Sequence, residues 1–246
     1  YVGTGDSGAY ATLEDALTAV NNMSPKPTSE AERITIHIAP GVYRAQHILK
    51  TPYVSLVNTD PSQEVKITWY YGIGYKYYSI GADGFYDKDT KRENQINDTY
   101  TAACTNWGHT VRVNSTATGF KADNITFESS FDRYVTKEEI EDGCTPVDIS
   151  NAEEKAVFYK DGTVKKPDRV SLGVGSTTVQ GKDYRERSCA FFAMADKMEM
   201  NGCYFVSEQD TLGTNHMRQY YKDCVIEGTV DYICGTGNSI FDNCEL

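Results

Sequence analysis

The chain has 246 residues, of which 24 are basic and 35 are acidic, so its formal net charge is −11. A surface of that sign repels polyanions on balance, which argues against duplex nucleic acid as a partner. No apolar run approaches the roughly 18 residues that cross a bilayer, which favours a soluble globular protein of one large or two small domains. The chain starts at Tyr1 without a basic segment followed by an apolar one, so a signal peptide is either absent or already removed.

The cysteines and histidines do not form a metal-binding pattern. The seven cysteines include no Cys-x-x-Cys pair, and the four histidines have no regular ligand spacing. A chain of this length can bury a core without a disulfide framework. We therefore expect most of the cysteines to be small buried residues and predict no metal site.

One helix is predicted, close to the start of the chain. Thr12-Leu-Glu-Asp15 resembles a capping box, and the next apolar residues recur at helical spacing until an expected end between Asn21 and Pro25. The rest consists of short β-branched and aromatic runs broken by Gly, Asn and Asp, which predict a mainly β protein. These runs are Ile34–Ile38, Val54–Val57, Val65–Trp69, Val111–Val113, Ile125–Phe127, Cys203–Val206, Val225–Ile226 and Tyr232–Cys234.

A repeat of about 20 residues organises the strands. Asn201-Gly-Cys203-Tyr-Phe205, Lys222-Asp-Cys224-Val-Ile226 and Asp242-Asn-Cys244-Glu-Leu246 share a polar pair, then Cys, then a strand, and Asp123–Phe127 has the same form with Ile in place of Cys. This period suits one coil of a β-solenoid, in which equivalent residues stack about 4.8 Å apart. We expect the three cysteines to form an internal thiol ladder and the first helix to cap the open end of the coil.

Two stretches break the repeat. The first, about 70–108, is polar and rich in tyrosine, and the second, about 128–187, is charged and includes a predicted short helix from Thr136. We interpret both as loop insertions in a single β-helix domain spanning residues 1–246, because neither has enough apolar residues for a core of its own. The second is expected to border the binding cleft. Since Asp242–Leu246 begins another repeat, we expect the domain to be C-terminally incomplete.

Two aspartates carry the strongest chemical signal. Asp210 and Asp231 are 21 residues apart, so one repeat places their carboxylates on adjacent coils. Two carboxylates that close do not both ionise easily, which suits an acid and a nucleophile. Gln209 offers an amide N–H to a developing oxyanion. The alternative is a pair of solvated turn residues, and the apolar, glycine-flanked run around Asp231 argues against it, because an ionisable residue inside a strand needs a reason.

At these residues the chain resembles the pectin methylesterase (pectinesterase) family. Gln209-Asp-Thr-Leu212 is similar to one family signature, and Gly228-Thr-Val-Asp-Tyr-Ile-Cys-Gly235 is similar to a second. The segments Met217–Gly228, Gly41–Arg44, Gly119–Phe127 and Tyr10–Ala16 also follow the family pattern.

The resemblance implies an all-β, right-handed parallel β-helix that hydrolyses galacturonate methyl esters to methanol and free carboxylate without metal or cofactor. It assigns Asp231 as nucleophile, Asp210 as general acid and then base, and Gln209 as an oxyanion donor. Arg187 stands where a second oxyanion glutamine is usual, and Tyr232 is expected to stack on a sugar. The expected protein is a monomer that is secreted, periplasmic or on the cell surface, with methyl-esterified homogalacturonan as its partner.

The chain also departs from the family pattern. Ala45 stands where a Glu is usual and Gly213 where an aromatic is usual, and the Leu-Gly-Arg-Pro-Trp motif of the family is expected after Leu246. Two alternatives therefore stay open. One is a carbohydrate-binding β-helix that has lost catalysis, and the other is a polysaccharide lyase on the same fold, which would require calcium and a basic residue that abstracts a proton.

Overall fold

The computed structural model describes residues 1–72, 109–131, 133–136, 164–165 and 188–246. Sheet A has six parallel strands in the order β1 (Ile34–Ile38), β4 (Val54–Asn58), β7 (Lys121–Asp123), β12 (Met198–Asn201), β15 (Arg218–Lys222) and β18 (Asn238–Asp242). Sheet B has β2 (Gly41–Arg44), β5 (Val65–Trp69), β8 (Thr126–Ser129), β13 (Tyr204–Val206) and β16 (Val225–Glu227). Sheet C has β3 (His47–Leu49), β6 (Val111–Val113), β11 (Phe191–Ala193), β14 (Leu212–Thr214) and β17 (Ile233–Gly235).

Each coil takes one strand from sheets A, B and C in turn, and β18 begins a further coil. In sheet A, Ile36 pairs with Leu56, which are 20 residues apart, so one period of the repeat corresponds to one coil. The strands of successive coils pair in parallel throughout these three sheets. The predicted all-β, right-handed parallel β-helix is confirmed.

The polar pair of the repeat forms the corner between sheets A and B. Its second residue adopts a left-handed backbone conformation in four coils, with φ between 52° and 60°, and these residues are Asn124, Gly202, Asp223 and Asn243. Asn, Asp and Gly are the residues that tolerate this conformation best. The polar pair therefore recurs because each coil needs the same sharp turn at this corner.

The residue after each turn points into the coil. Cys203 and Cys224 are buried and Cys244 is partly exposed, and the pairing of Tyr204 with Val225 and of Val225 with Glu245 stacks the three cysteines on successive coils, so the predicted ladder is confirmed. Burial raises the pKa of the Cys203 thiol, which keeps it a small apolar core residue. Aromatic rings continue the interior stack beside the ladder, with the centroids of Phe127 and Phe205 5.4 Å apart.

The predicted helix caps the first coil. It spans Leu13–Asn22 (α1), its N-cap Thr12 accepts a hydrogen bond from the Asp15 N–H at 3.1 Å, and it buries Leu13, Ala16 and Leu17. Its Asn21 side chain donates to the Ile48 carbonyl at 2.7 Å, which fixes α1 over β3. A short 3₁₀-helix, Glu30–Glu32, precedes β1. Within the described part of the chain, no helix is long and apolar enough to cross a bilayer.

The inner bounds of the two insertions differ from the prediction. Tyr70 and Tyr71 are buried and pack on Trp69, with ring centroids 4.5 and 5.7 Å from it, so the polar excursion does not begin at residue 70. Glu128 and Ser129 belong to β8, because this strand continues two residues beyond the apolar run that ends at Phe127. An antiparallel pair, β9 (Tyr134–Val135) and β10 (Val164–Lys165), lies within the second insertion. The helix predicted from Thr136 falls almost wholly outside the described residues.

Candidate active site

The corner between sheets B and C brings the two predicted aspartates together. The Asp210 N–H donates to the Val230 carbonyl at 3.1 Å, and the Leu212 N–H donates to the Tyr232 carbonyl at 2.8 Å. Leu212 pairs with Ile233 in the next coil, so the residues two positions earlier, Asp210 and Asp231, occupy equivalent places. Neighbouring parallel strands are about 4.8 Å apart, and the two carboxylates therefore lie on adjacent coils, as their spacing predicts.

Both aspartates have a left-handed backbone. The φ angle is +60° at Asp210 and +48° at Asp231. Such angles are uncommon outside glycine, and aspartate is among the residues that tolerate them. The strand predicted over Tyr232–Cys234 begins one residue later, at Ile233, and Asp231 in the strand-like run before it occupies a turn.

The two carboxyl groups have contrasting environments. Asp210 is only 4% exposed, whereas Asp231 is exposed to solvent. Asp210 also lies close to the buried Cys189: burial is the main reason that the pKa of the Cys189 thiol is raised, and Cys234 and Asp210 raise it further. Asp210 is thus enclosed by the corner, whereas Asp231 lies on the edge coil, since β17 is the outermost strand of sheet C.

Gln209 is half-buried beside Asp210. Its backbone carbonyl accepts a hydrogen bond from the Ser188 N–H at 2.9 Å, which fixes the turn. Directly beneath, the buried hydroxyls of Ser188 and Ser207 are 2.6 Å apart. The Gln209 side-chain amide makes no hydrogen bond to any residue that the structure describes, so its N–H groups are available for an oxyanion.

The two other predicted site residues are placed differently. Tyr232 is half-buried and packs against the hydrophobic core. Gly228 lies against it: a Cβ there would approach the Tyr232 Cβ to 2.4 Å and the Thr211 Oγ1 to 2.6 Å, so only glycine fits. Arg187 lies outside the described residues. Among the residues that are described, no group of three or more His, Cys, Asp or Glu could hold a metal ion.

A cluster of charges beside the aspartates was missed by the sequence analysis. Arg133 lies 3.6 Å from Glu128, 3.9 Å from Glu208 and 3.5 Å from Glu227. Burial raises the pKa of Glu208, and the coulombic attraction of Arg133 opposes that shift. The repeat contained a signal for part of this cluster, because Glu128 and Glu227 each stand three residues after the interior residue that follows a sheet A–sheet B turn.

The fold and this corner define the class of the protein: a right-handed parallel β-helix with a site of two carboxylates and an amide contributed by adjacent coils. The Pectinesterase family model matches residues 171–246, the part of the chain that contains both aspartates.

Curated proteins similar to this chain match it over short segments. Probable pectinesterase A from Neosartorya fischeri is 41% identical over 68 residues, which is 28% of this chain and 21% of that protein. Probable pectinesterase 67 from Arabidopsis thaliana is 45% identical over 60 residues, which is 24% of this chain and 17% of that protein. The matched segments thus span about a fifth of these relatives.

Solved structures share the fold over the whole chain. Pectin methylesterase PemA from Erwinia chrysanthemi superposes with a TM-score of 0.59 at 18% identity, over 99% of this chain and 53% of that one. A pectin methylesterase in complex with hexasaccharide VII superposes with a TM-score of 0.60 at 18% identity, over 98% of this chain and 52% of that one. The chain therefore spans about half the length of these proteins. These structures show the fold, while the family model and the curated relatives support the pectinesterase family for this chain.

Proposed function

We propose that the protein is a pectinesterase that hydrolyses the methyl esters of polygalacturonate to methanol and free carboxylate. The observation that carries the proposal is the pair Asp210 and Asp231, at equivalent positions on adjacent coils within the segment that matches the Pectinesterase model.

In the first half of the reaction, a carboxylate oxygen of Asp231 attacks the ester carbonyl carbon. The assignment rests on the position of Asp231 within the segment that matches the Pectinesterase model. The negative charge that develops on the carbonyl oxygen is stabilised by the Gln209 amide N–H, and we propose Arg187 as a second donor. Asp210 protonates the methoxy oxygen as the C–O bond breaks, which releases methanol and leaves an acyl-enzyme anhydride.

In the second half, water takes the place of methanol. Asp210, now deprotonated, accepts a proton from the water as the water oxygen attacks the acyl carbon. The bond to Asp231 breaks, the galacturonate carboxylate leaves, and Asp210 regains its proton. The enclosure of Asp210, which is 4% exposed, supports this role, because a shielded group passes its proton to the reacting atoms rather than to bulk water.

The route of the chain supports a binding cleft at the corner between sheets B and C. The connections 70–110 and 130–190, which contain the two insertions, leave the coil at the corner that carries Asp210 and Asp231. We propose that they border the cleft and shape the access of the polymer, with Tyr232 contacting a sugar ring. The proposal includes a single β-helix domain, a monomeric state and an extracellular, periplasmic or cell-surface location.

The decisive experiment measures methanol release from methyl-esterified pectin. Asp231→Ala and Asp210→Asn are each expected to lower kcat by at least about 100-fold, through loss of the nucleophile or of the general acid. Asp223→Asn is the matched control: Asp223 has a similar left-handed backbone, with φ +52°, but lies at the corner between sheets A and B. Because Asn occupies that turn in two other coils, the control should keep wild-type activity.

Other outcomes separate the alternatives. Full activity in either active-site variant would contradict the residue assignment. Binding of pectin without methanol release would indicate the carbohydrate-binding alternative. Growth of ultraviolet absorbance from unsaturated products in the presence of calcium would indicate a lyase.

A further inference from the structure

Arg133 lies among three carboxylates at the end of sheet B: Glu128 in β8, Glu208 two residues after β13, and Glu227 at the end of β16. Its Nε lies 3.6 Å from a Glu128 carboxylate oxygen, and its Nη1 lies 3.9 Å from a Glu208 oxygen and 3.5 Å from a Glu227 oxygen. The Glu128 side chain is only 3% exposed, and the Arg133 side chain is 28% exposed. The side chains of Glu208 and Glu227 are 33% and 54% exposed, so the pair with Glu128 is the most shielded of the three and the other two are screened more strongly by solvent.

Two of these carboxylates begin the connections that carry the candidate catalytic groups. Glu208 precedes Asp210 by two residues, and Glu227 precedes Asp231 by four. The connections are already joined through the backbone, since the Glu208 carbonyl accepts the Thr229 N–H at 2.7 Å and the Glu227 carbonyl accepts the Thr211 hydroxyl at 3.0 Å. Arg133 adds a second link between these two connections, through the side chains of Glu208 and Glu227.

Other charged and titratable groups lie near Arg133, but the carboxylates of Glu208 and Glu227 have Arg133 as their counter-ion. Lys66 lies 3.9 Å from the Glu128 carboxylate, on the side of sheet B away from Glu227. Thr68 donates a hydrogen bond to Glu128 at 2.8 Å, and the Tyr204 hydroxyl is hydrogen-bonded to Glu227. Within the described residues, Arg133 is the one cationic side chain within 4.0 Å of Glu208 and Glu227.

We propose that Arg133 is a positioning residue of the candidate active site. By bridging Glu208 and Glu227 it fixes the separation of the two connections that carry Asp210 and Asp231, and it compensates the negative charge beside them. This inference rests on the proposed esterase function for its effect on catalysis, although the bridge itself is independent of substrate.

The catalytic test compares charge-changing variants by kcat, KM and the pH profile of kcat/KM. Arg133→Met is expected to lower kcat about 10-fold with a smaller change in KM, because the bridge aligns the reacting groups rather than binding the polymer. It should also move the acid limb of the profile upward by about half a pH unit, since the connections that carry the aspartates then hold two uncompensated carboxylates. Arg133→Lys keeps the charge with a different reach and should lie between wild type and Arg133→Met.

A neutralised variant separates charge from shape. Arg133→Met combined with Glu208→Gln and Glu227→Gln removes the cation and both anions, so its acid limb should return to the wild-type position while its rate stays low. Arg218→Met is the matched control, because Arg218 pairs with Asp196 on sheet A, away from this corner. The control should change neither the rate nor the profile.

Two results would overturn the inference. With an active wild type, an acid limb that does not move in Arg133→Met would exclude the catalytic role. Without any substrate, additive losses of Tm in the single and double variants Arg133→Met and Glu208→Gln would exclude the bridge, and Arg133→Lys replaces Arg133→Met in that cycle if the latter does not fold. A wild type that releases no methanol contradicts the proposed function, and the Tm cycle then decides on Arg133 by itself.

Discussion

Acid should destabilise the first coil through a buried histidine. His47 lies in β3 beneath the capping helix, is 4% exposed, and its Nε2 has no hydrogen-bond partner among the described residues. Burial lowers the pKa of His47 from 6.5 to about 4. The unfolded chain therefore takes up a proton near pH 6.5, whereas the folded chain does not until about pH 4. The free energy of unfolding should fall as the pH drops through this window and stay constant above it.

The size of the effect follows from the two pKa values. At 1.36 kcal/mol for each pKa unit, the difference between 6.5 and 4 corresponds to a loss of about 3 kcal/mol. Burial also lowers the pKa of His109 well below its usual value, which adds to the loss in the same direction. Urea unfolding at several pH values between 7 and 4 measures the summed loss in the free energy of unfolding. Carboxylates with altered pKa values also change this free energy with pH at the acid end of that range.

A variant isolates the contribution of His47. His47→Leu fills the same apolar site without a titratable group, so the difference between the wild-type and variant curves should approach 3 kcal/mol at the acid end. His216→Gln, at an exposed turn, is the matched control and should keep the wild-type curve. Parallel curves for wild type and His47→Leu across the whole window would refute the reasoning.

Three further substitutions test the fold by urea unfolding. Gly235→Ala should cost more than about 3 kcal/mol, because its backbone is left-handed, with φ +111°, and the new Cβ would meet the Thr214 carbonyl oxygen at 2.0 Å; a mild effect would contradict the geometry of β17. Gly213→Ala should cost about 1–3 kcal/mol, since its Cβ would lie 2.2 Å from the Phe192 ring, and Phe192→Ala should relieve that cost in the double variant; additive losses would refute the contact. Thr12→Ala should cost about 1 kcal/mol through loss of the N-cap, and an unchanged stability would show that α1 does not depend on it.

The sequence predicted those parts of the fold in which local and repeating signals agree. Val65–Trp69 and Val111–Val113 have the predicted bounds, because their apolar residues fill the interior directly. β15, Arg218–Lys222, was missed because its outward side chains are polar and only alternate residues enter the core. Glu128 and Ser129 were assigned to a loop because they are polar. All four residues of β8 are nevertheless buried, so these polar residues lie within a buried strand.

The candidate site was predictable in position but not in environment. A spacing of one repeat was enough to place Asp210 and Asp231 on adjacent coils. The enclosure of Asp210 depends on the shape of the corner, which no local pattern encodes. Glu128 and Glu227 recur at one place in the repeat, but their contacts with Arg133 appear only when the register of the coils is known.

The corner between sheets B and C accepts connections of very unequal length, from residues 45–46 to 130–190, while the strands on either side keep the same register. The scaffold and the surface around its carboxylates are consequently separable units. Loops could be lengthened, trimmed or grafted from another β-helix at this corner without repacking the interior, whereas a single inserted residue at the turns that contain Gly202 or Asp223 would disturb every coil beyond it. Diversification of polymer recognition in such a protein is therefore expected to concentrate at one edge of the coil, and this is the edge at which an engineer should work.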